Sequence, residues 1–400
     1  MRSLIAMRSL LRALEVLGCA AALTFALSAG ALANDHGRAQ QGDHPGSSGD
    51  GHGRSRFTLA VGGDVACAPG NPVTPRTCQH AGTARLVESL NPDGVAIPGD
   101  IQYERGSLPD FMASFDPTWG AFKAKIFPAA GNHEYYTPGG AGYYDYFNGI
   151  GRPTGPAGDR DKGYYSADLG RWHLITLNSN CGFDPYSPTP ISVPCNTGSP
   201  QERWLRADLQ AHRHQCIVAQ WHHPLYSSGP NGVIDPNDKA TRPFWRDLYA
   251  YHATLVLNGH DHDYERFAPQ NADAQSDPRH GVREFVVGTG GKSLFEPKSA
   301  APNSEVFNNN TFGVMVLTLR PSGYDWRFVP EPLSSNPGNG TFTDQGSARC
   351  NGRDGGDEGD GHDRKDARGS GHRKDARGSG HRKDARGSGH RKDARGSGQD

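Results

Sequence analysis

The chain has 400 residues, more than a usual single domain, yet 53 Gly and 29 Pro make up about a fifth of it and only 34% is hydrophobic. The apolar shortage sits at the ends: residues 351–400 contain no Val, Ile, Leu, Met, Phe, Tyr or Trp. The whole chain is −1, the last fifty residues +3 and the first 33 residues +2, which leaves −6 on residues 34–350 and argues against nucleic acid as a structural partner.

In chain order, Arg2, Arg8 and Arg12 precede a nearly all-apolar run over residues 17–27, and Ala31-Leu32-Ala33 is a small-residue cleavage pattern. Residues 1–33 are therefore expected to be a signal peptide cleaved near Ala33. The mature chain would then be secreted, periplasmic or held at the cell surface. The apolar run is short for a membrane span, so no transmembrane segment is expected in the mature chain. A lipoprotein signal at Cys19 and an uncleaved anchor stay open as other readings. Residues 34–56 read as a Gly/His-rich linker, and residues 57–350 as the catalytic domain.

Strands are expected at residues 57–61, 94–97, 126–130, 164–169, 172–177, 216–221, 254–257, 284–287, 313–319 and 324–329. Helical spacing covers residues 83–90, 110–125 with a break near Pro117, and 241–251. Ser199-Pro200-Gln201-Glu202 opens a helix with a Ser cap, Pro in the first position and Glu three residues after the cap. The alternation of strands and helices implies an α/β domain with a largely parallel or mixed sheet. Residues 138–165 and 178–200 read as long Gly/Pro loops, which are usually functional or tied by disulfides. Residues 351–400 repeat His-Arg-Lys-Asp-Ala-Arg-Gly-Ser-Gly with His372, His381 and His390 in register, and this low-complexity tail is expected to be disordered.

Without Cys19, six cysteines remain, and fifteen connectivities are open to them. The short Cys67–Cys78 and Cys181–Cys195 loops could close easily, which would leave Cys216 for Cys350. A buried free thiol at Cys216 is the other reading.

Five strands run into a metal-capable group: Asp64, Asp100, Asn132, His222 and the pair His260/His262. In open α/β sheets the carboxyl ends of the strands form the ligand crevice, so residues far apart in sequence meet there. Singly, each has a bland explanation as a turn residue, a cap or a hydrogen-bonded His. As a set they recur at the same end of strand after strand, with flexible Gly before them. Oxygen and imidazole donors without thiolate suit zinc, manganese and iron.

Gly63-Asp64, Gly99-Asp100-Ile101-Gln102-Tyr103, Gly131-Asn132-His133-Glu134, His222-His223-Pro224 and Gly259-His260-Asp261-His262 resemble, in order, the five-motif signature of calcineurin-like metallophosphoesterases. The resemblance spans roughly residues 57–330. Ala66, where other branches place a His, together with Tyr103, resembles the purple acid phosphatase branch, as does the stretch His262-Asp263-Tyr264-Glu265-Arg266. The resemblance implies a metallophosphoesterase-type sandwich of two mixed β-sheets flanked by helices. It implies two metal ions, one held by Asp64, Asp100, Tyr103 and His262, the other by Asp100, Asn132, His222 and His260, with Asp100 bridging. A phenolate favours Fe(III) at the first site, and Zn, Mn or Fe(II) suits the second. His133 is the expected catalytic group at the leaving group or a phosphate oxygen, with Glu134 orienting it. His223 is expected to pack outside the metal shell.

The implied activity is hydrolysis of phosphate monoesters by a metal-bound hydroxide, with a phosphate ester as partner. A phosphodiesterase or nucleotidase on the same scaffold is the alternative, and a non-catalytic surface-binding protein the second alternative. The chain departs from the plant enzymes in lacking their paired substrate histidines over residues 226–231 and their N-terminal β-domain. Residues 288–291 resemble a late Gly-rich strand-end loop of the family, and lining the cleft or forming a plain tight turn are the two readings open to them. Nothing in the sequence sets the oligomeric state.

Overall fold

The computed structural model describes residues 56–351, apart from 183–186, 188–192, 232–238 and 333–339. The expected signal, the linker up to residue 55 and the tail from residue 352 lie outside the described residues. Thirteen strands form two sheets among the described residues. The first sheet contains β1 (Phe57–Val61), β2 (Gly94–Pro98), β3 (Ile126–Ala129), β11 (Gly313–Arg320), β12 (Gly323–Pro330) and β13 (Gln345–Arg349), in the order β13-β12-β11-β1-β2-β3. The second contains β4 (Tyr165–Leu169), β5 (Trp172–Thr176), β6 (Cys216–Gln220), β7 (Leu255–Asn258), β8 (Tyr264–Phe267), β9 (Arg283–Val287) and β10 (Ser304–Asn308), in the order β10-β8-β9-β7-β6-β5-β4. β1, β2 and β3 run parallel, as do β5, β6, β7 and β9, while the remaining pairings are antiparallel. Both sheets are therefore mixed.

The period-two side-chain alternation of a strand explains the layering. In β1, Leu59 and Val61 join Val218, Leu255 and Phe285 of the other sheet, while Ala60 packs with Leu86, Val87 and Trp119. In β6, Val218 faces the inter-sheet core, while Ile217 and Ala219 meet Leu205, Leu209, Phe244 and Trp245 of the helices Pro200–Ala211 and Arg242–Ala250. Each fully buried Val, Leu, Ile or Phe side chain among these stabilises the fold by about 1.5–3 kcal/mol. Ser199 caps the first helix as expected: its Oγ accepts from Glu202 N at 3.1 Å.

Several elements differ from the sequence reading. The break expected near Pro117 within residues 110–125 is present, but the stretches on either side of it are wide and tight turns rather than α-helix. A turn at Leu108–Asp110 runs into a wide turn at Phe111–Phe115, and a tight 3-10 stretch follows at Trp119–Lys125. Pro117 lacks the N–H that a continuous helix needs. The expected loop over residues 138–165 contains a helix at Ala141–Asn148, carried by buried Tyr143, Tyr144, Tyr146 and Phe147. Strands β8, β10 and β13 also went unpredicted. In β13 the residues are Gln-Gly-Ser-Ala-Arg, which only pairing with β12 makes extended.

All six described cysteines pair: Cys67–Cys78, Cys181–Cys195 and Cys216–Cys350, with Cα separations of 5.4, 5.2 and 5.6 Å. The free-thiol reading of Cys216 is thereby corrected. The last bridge ties the start of β6 to the end of β13.

Candidate metal centre

The seven expected ligands converge where the carboxyl ends of the two parallel strand sets meet. Asp64, Asp100 and Asn132 follow β1, β2 and β3 of the first sheet, and His222 and His260 follow β6 and β7 of the second. His262 precedes β8. Asp64, Asp100 and His260 adopt left-handed backbone conformations, with φ of 59°, 49° and 72°. Such strain in non-glycine residues costs about 1–3 kcal/mol each and persists only where the surroundings impose it. Here it turns each side chain sharply inward from its strand end. Gly131 is needed for the same crowding: a Cβ there would stand 2.1 Å from Asp100 Oδ1.

The donor atoms form two groups joined by one carboxylate. Tyr103 Oη lies 2.9 Å from Asp64 Oδ1, 2.9 Å from Asp100 Oδ2 and 3.0 Å from His262 Nε2. On the other side, His222 Nε2 lies 3.3 Å from Asp100 Oδ2, 3.0 Å from Asn132 Oδ1 and 3.1 Å from His260 Nδ1. Asp100 Oδ2 thus touches both groups.

The chemistry of this donor set fits cations. One phenolic proton faces two carboxylate oxygens and an imidazole nitrogen around Tyr103, so it satisfies at most one of them. The Nδ1–H of His222 donates to Pro98 O at 3.0 Å, which leaves Nε2 turned toward the oxygens of Asn132 and Asp100. Ligating imidazoles are oriented in this way by their outer nitrogen. Ser293 Oγ meets His262 Nδ1 at 2.7 Å, and Phe295 stacks on the same ring at 3.8 Å. Asn132 Nδ2 donates to Tyr136 Oη at 2.6 Å and so directs Oδ1 inward. Metal–ligand bonds of about 2.1 Å set neighbouring donors about 3 Å apart, the spacing found here.

Electrostatics point the same way. Burial would lower the His222 imidazole, but the Asp100 and Asp64 carboxylates outweigh it and raise it to about 10. Burial first, then Asp100 and Asp64, pushes the Tyr103 phenol well above its ordinary value. Positive charge among these groups is strongly favoured, and a phenolate there requires a cation.

His133 sits at the mouth, with its side chain 21% exposed and Nε2 3.8 Å from Asp100 Oδ2. Its Nδ1–H donates to the Glu104 carbonyl at 2.6 Å. The expected orienting role of Glu134 is therefore corrected. Glu134 is fully buried, and its carboxylate accepts the backbone N–H groups of Asp100, Ile101, Gln102 and Gly131 at 2.7–3.2 Å. It fixes the two ligand loops against each other. No residue-type signal marked the Glu104 carbonyl, because any residue there supplies one.

His223 is buried, and its Nδ1 lies 2.7 Å from Ser179 Oγ. Its ring centroid is 4.5 Å from that of His260, and one of its nitrogens lies within 4.8 Å of nitrogens of His222 and His260. Within the Gly-rich loop over residues 288–291, Gly290 N donates to Gly63 O at 2.9 Å, which holds the loop against Asp64. Ser293 and Phe295, missed in the sequence, follow directly from that loop.

Comparison with known proteins agrees with this geometry. The family described as calcineurin-like phosphoesterase matches residues 49–264, more than half of the chain. Purple acid phosphatase 18 of Arabidopsis thaliana is 28% identical over 274 residues, covering 64% of this chain and 55% of that protein. A nucleotide pyrophosphatase/phosphodiesterase of Hordeum vulgare is 25% identical over 269 residues, covering 59% of this chain and 68% of that protein. Another Arabidopsis relative, 24% identical and covering 59% of this chain and 41% of that protein, carries the name "Probable inactive purple acid phosphatase 1". The chain spans about half the length of most of these curated relatives. The structure of a purple acid phosphatase from yellow lupin seeds superposes with a TM-score of 0.55 at 21% identity, covering 75% of this chain and 55% of that one, and shares the fold. The chain belongs to the calcineurin-like phosphoesterase family, and purple acid phosphatases are among the relatives it is similar to.

Proposed function

We propose that this protein is a secreted dinuclear-metal phosphoesterase that hydrolyses phosphate monoesters. The observation that carries the reading is the position of Asp100 Oδ2, at 2.9 Å from Tyr103 Oη and 3.3 Å from His222 Nε2. A shared carboxylate suits two adjacent cations, which repel each other and need negative charge between them. Asp64, Asp100, Tyr103 and His262 would hold the first ion, Fe(III) being the choice that a phenolate favours. Asp100, Asn132, His222 and His260 would hold the second, as Zn, Mn or Fe(II). When bound, such ions acidify water and neutralise phosphoryl charge.

The chain's own residues do the rest. His133 presents Nε2 at the mouth toward a phosphate oxygen or the leaving group, and its ring is aimed by the Glu104 carbonyl. Glu134 keeps the Asp100 and Gly131 loops in register. Export is supported by the signal-like N-terminus and by three disulfides, which persist in oxidising compartments. No described helix is long and apolar enough to cross a membrane.

The barley relative's name favours diester cleavage as the second reading. Purified protein with two metal ions per chain should hydrolyse p-nitrophenyl phosphate faster than bis(p-nitrophenyl) phosphate. The reverse order would establish the diesterase reading. Two bound metals with turnover of neither ester would leave a binding protein, in line with the relative named as inactive.

A further inference from the structure

We propose that Lys292 selects substrates that carry a second phosphate beside the one being cleaved, with nucleoside diphosphates as the class. The inference rests on the phosphoesterase reading above. Lys292 lies just after the Gly-rich loop that leaves β9. Its N–H donates to Asp64 O at 2.9 Å, and its carbonyl accepts from Cys78 N at 3.0 Å. The backbone is thus locked between an expected metal ligand and the Cys67–Cys78 bridge.

The side chain returns over the centre. Nζ lies 4.7 Å from the centroid of the Tyr103 ring, whose hydroxyl meets Asp64 and Asp100. The ammonium therefore stands over the ring whose hydroxyl is one of the donors that would hold the first cation. It is too far to be a ligand itself, and it offers three N–H donors to an anion. Its partner is Glu104, with side-chain exposures of 16% for Lys292 and 51% for Glu104. Glu104 follows Tyr103 directly, and its carbonyl is the group that aims His133.

This ion pair makes the rim selective. A substrate whose terminal phosphate sits at the centre carries its next phosphate outward, one bridging oxygen away. That phosphate reaches Lys292 and repels Glu104, so it replaces the carboxylate as partner of the ammonium. A monoester with an uncharged leaving group brings no such anion and leaves the pair intact. Discrimination follows from the difference between the two bound states, not from binding as such. Lys292 and Glu104 should then act in opposite directions.

The test uses the full metal-loaded chain and compares release of the terminal phosphate from ADP and from AMP, which share the adenosine. Lys292→Gln should lower the ratio of kcat/KM for ADP to that for AMP about tenfold, the scale of one charge-assisted contact, chiefly through KM for ADP. Lys292→Arg should restore most of that ratio. Glu104→Gln should raise it, because the competing carboxylate is gone. An unchanged ratio in Lys292→Gln overturns the proposal, as does a Glu104→Gln variant that lowers the ratio alongside it. An unchanged ratio would mean that the pair only braces Tyr103, a role that changes both substrates equally, and a ratio lowered in both variants would mean that the intact pair, not an ammonium released from Glu104, favours ADP. A wild type active on p-nitrophenyl phosphate with an unaltered Lys292→Gln ratio removes this inference alone. A wild type inert on every ester removes the phosphoesterase reading with it.

Discussion

Replacing Asp100 with Asn tests the shared carboxylate directly. The side chain keeps its shape and loses its charge, and the surroundings dictate which way the amide turns. Asp100 Oδ1 accepts the His133 backbone N–H at 3.0 Å. The oxygen of an Asn stays there, because an amide nitrogen would set donor against donor at a cost of about 1–3 kcal/mol. The NH2 group then occupies the place of Oδ2, facing Tyr103 Oη and His222 Nε2. An amide NH2 has no lone pair to offer a cation, so both ions lose the same ligand in one substitution. The expected outcome is fewer than one metal per chain by elemental analysis. The kcat on p-nitrophenyl phosphate should fall by about 10³-fold or more, equivalent to about 4 kcal/mol in the barrier. A thermal melt and a circular dichroism spectrum separate this from misfolding. An Asp100→Asn protein that keeps two metals and turns over within threefold of wild type would falsify the bridge.

In an iron-loaded preparation, Tyr103→Phe should abolish a visible charge-transfer band and reduce activity less than Asp100→Asn, since the bridge remains. An active, iron-loaded and colourless wild type would return Tyr103 to a packing role. His173 gives a pH dependence remote from the centre: its ring nitrogens lie 2.8 Å from Asp168 Oδ1 and 2.8 Å from Asp208 Oδ2, pinning β4 and β5 to the helix Pro200–Ala211. Burial would lower this imidazole, but the two carboxylates outweigh it, so its folded pKa lies above the ordinary 6.5. Its stabilisation is therefore full below pH 6.5 and fades as pH rises through the folded value. The loss of Tm in His173→Asn should be larger at pH 6 than at pH 9, and an equal loss at both would refute the charged ring. Replacing Cys216 and Cys350 by Ser opens a bridge across 134 residues and should cost about 5 kcal/mol, read as a lower denaturant midpoint, and an unchanged midpoint would refute it.

Much of the fold was legible because burial imposes a period on sequence. Residues 57–61, 94–97, 126–130 and 216–221 are short, largely apolar runs with a Gly or His within the next two residues, and strands occupy all four regions. The candidate ligands were legible for a related reason. Turning a carboxylate sharply inward from a strand end needs room and a permissive backbone, and glycine written beside Asp64, Asp100, Asn132 and His260 marks that need. The three short sequence signals Ser199, Pro200 and Glu202 likewise act locally, so they read correctly without any tertiary knowledge.

Everything that depends on which groups meet across elements came from the folded chain. β13 has no apolar pattern and is a strand because β12 offers it an edge. The helix Ala141–Asn148 lies in a Gly-rich stretch and is ordered by aromatic burial against the first sheet. Glu134 looked like a partner for the neighbouring His133, yet it binds four N–H groups, three of them from a loop more than thirty residues away. Lys292 was one unremarked lysine among many until the fold carried it over Tyr103. Local patterns record how each segment is to be buried, while pairings between distant groups depend on packing, which no short window of sequence contains.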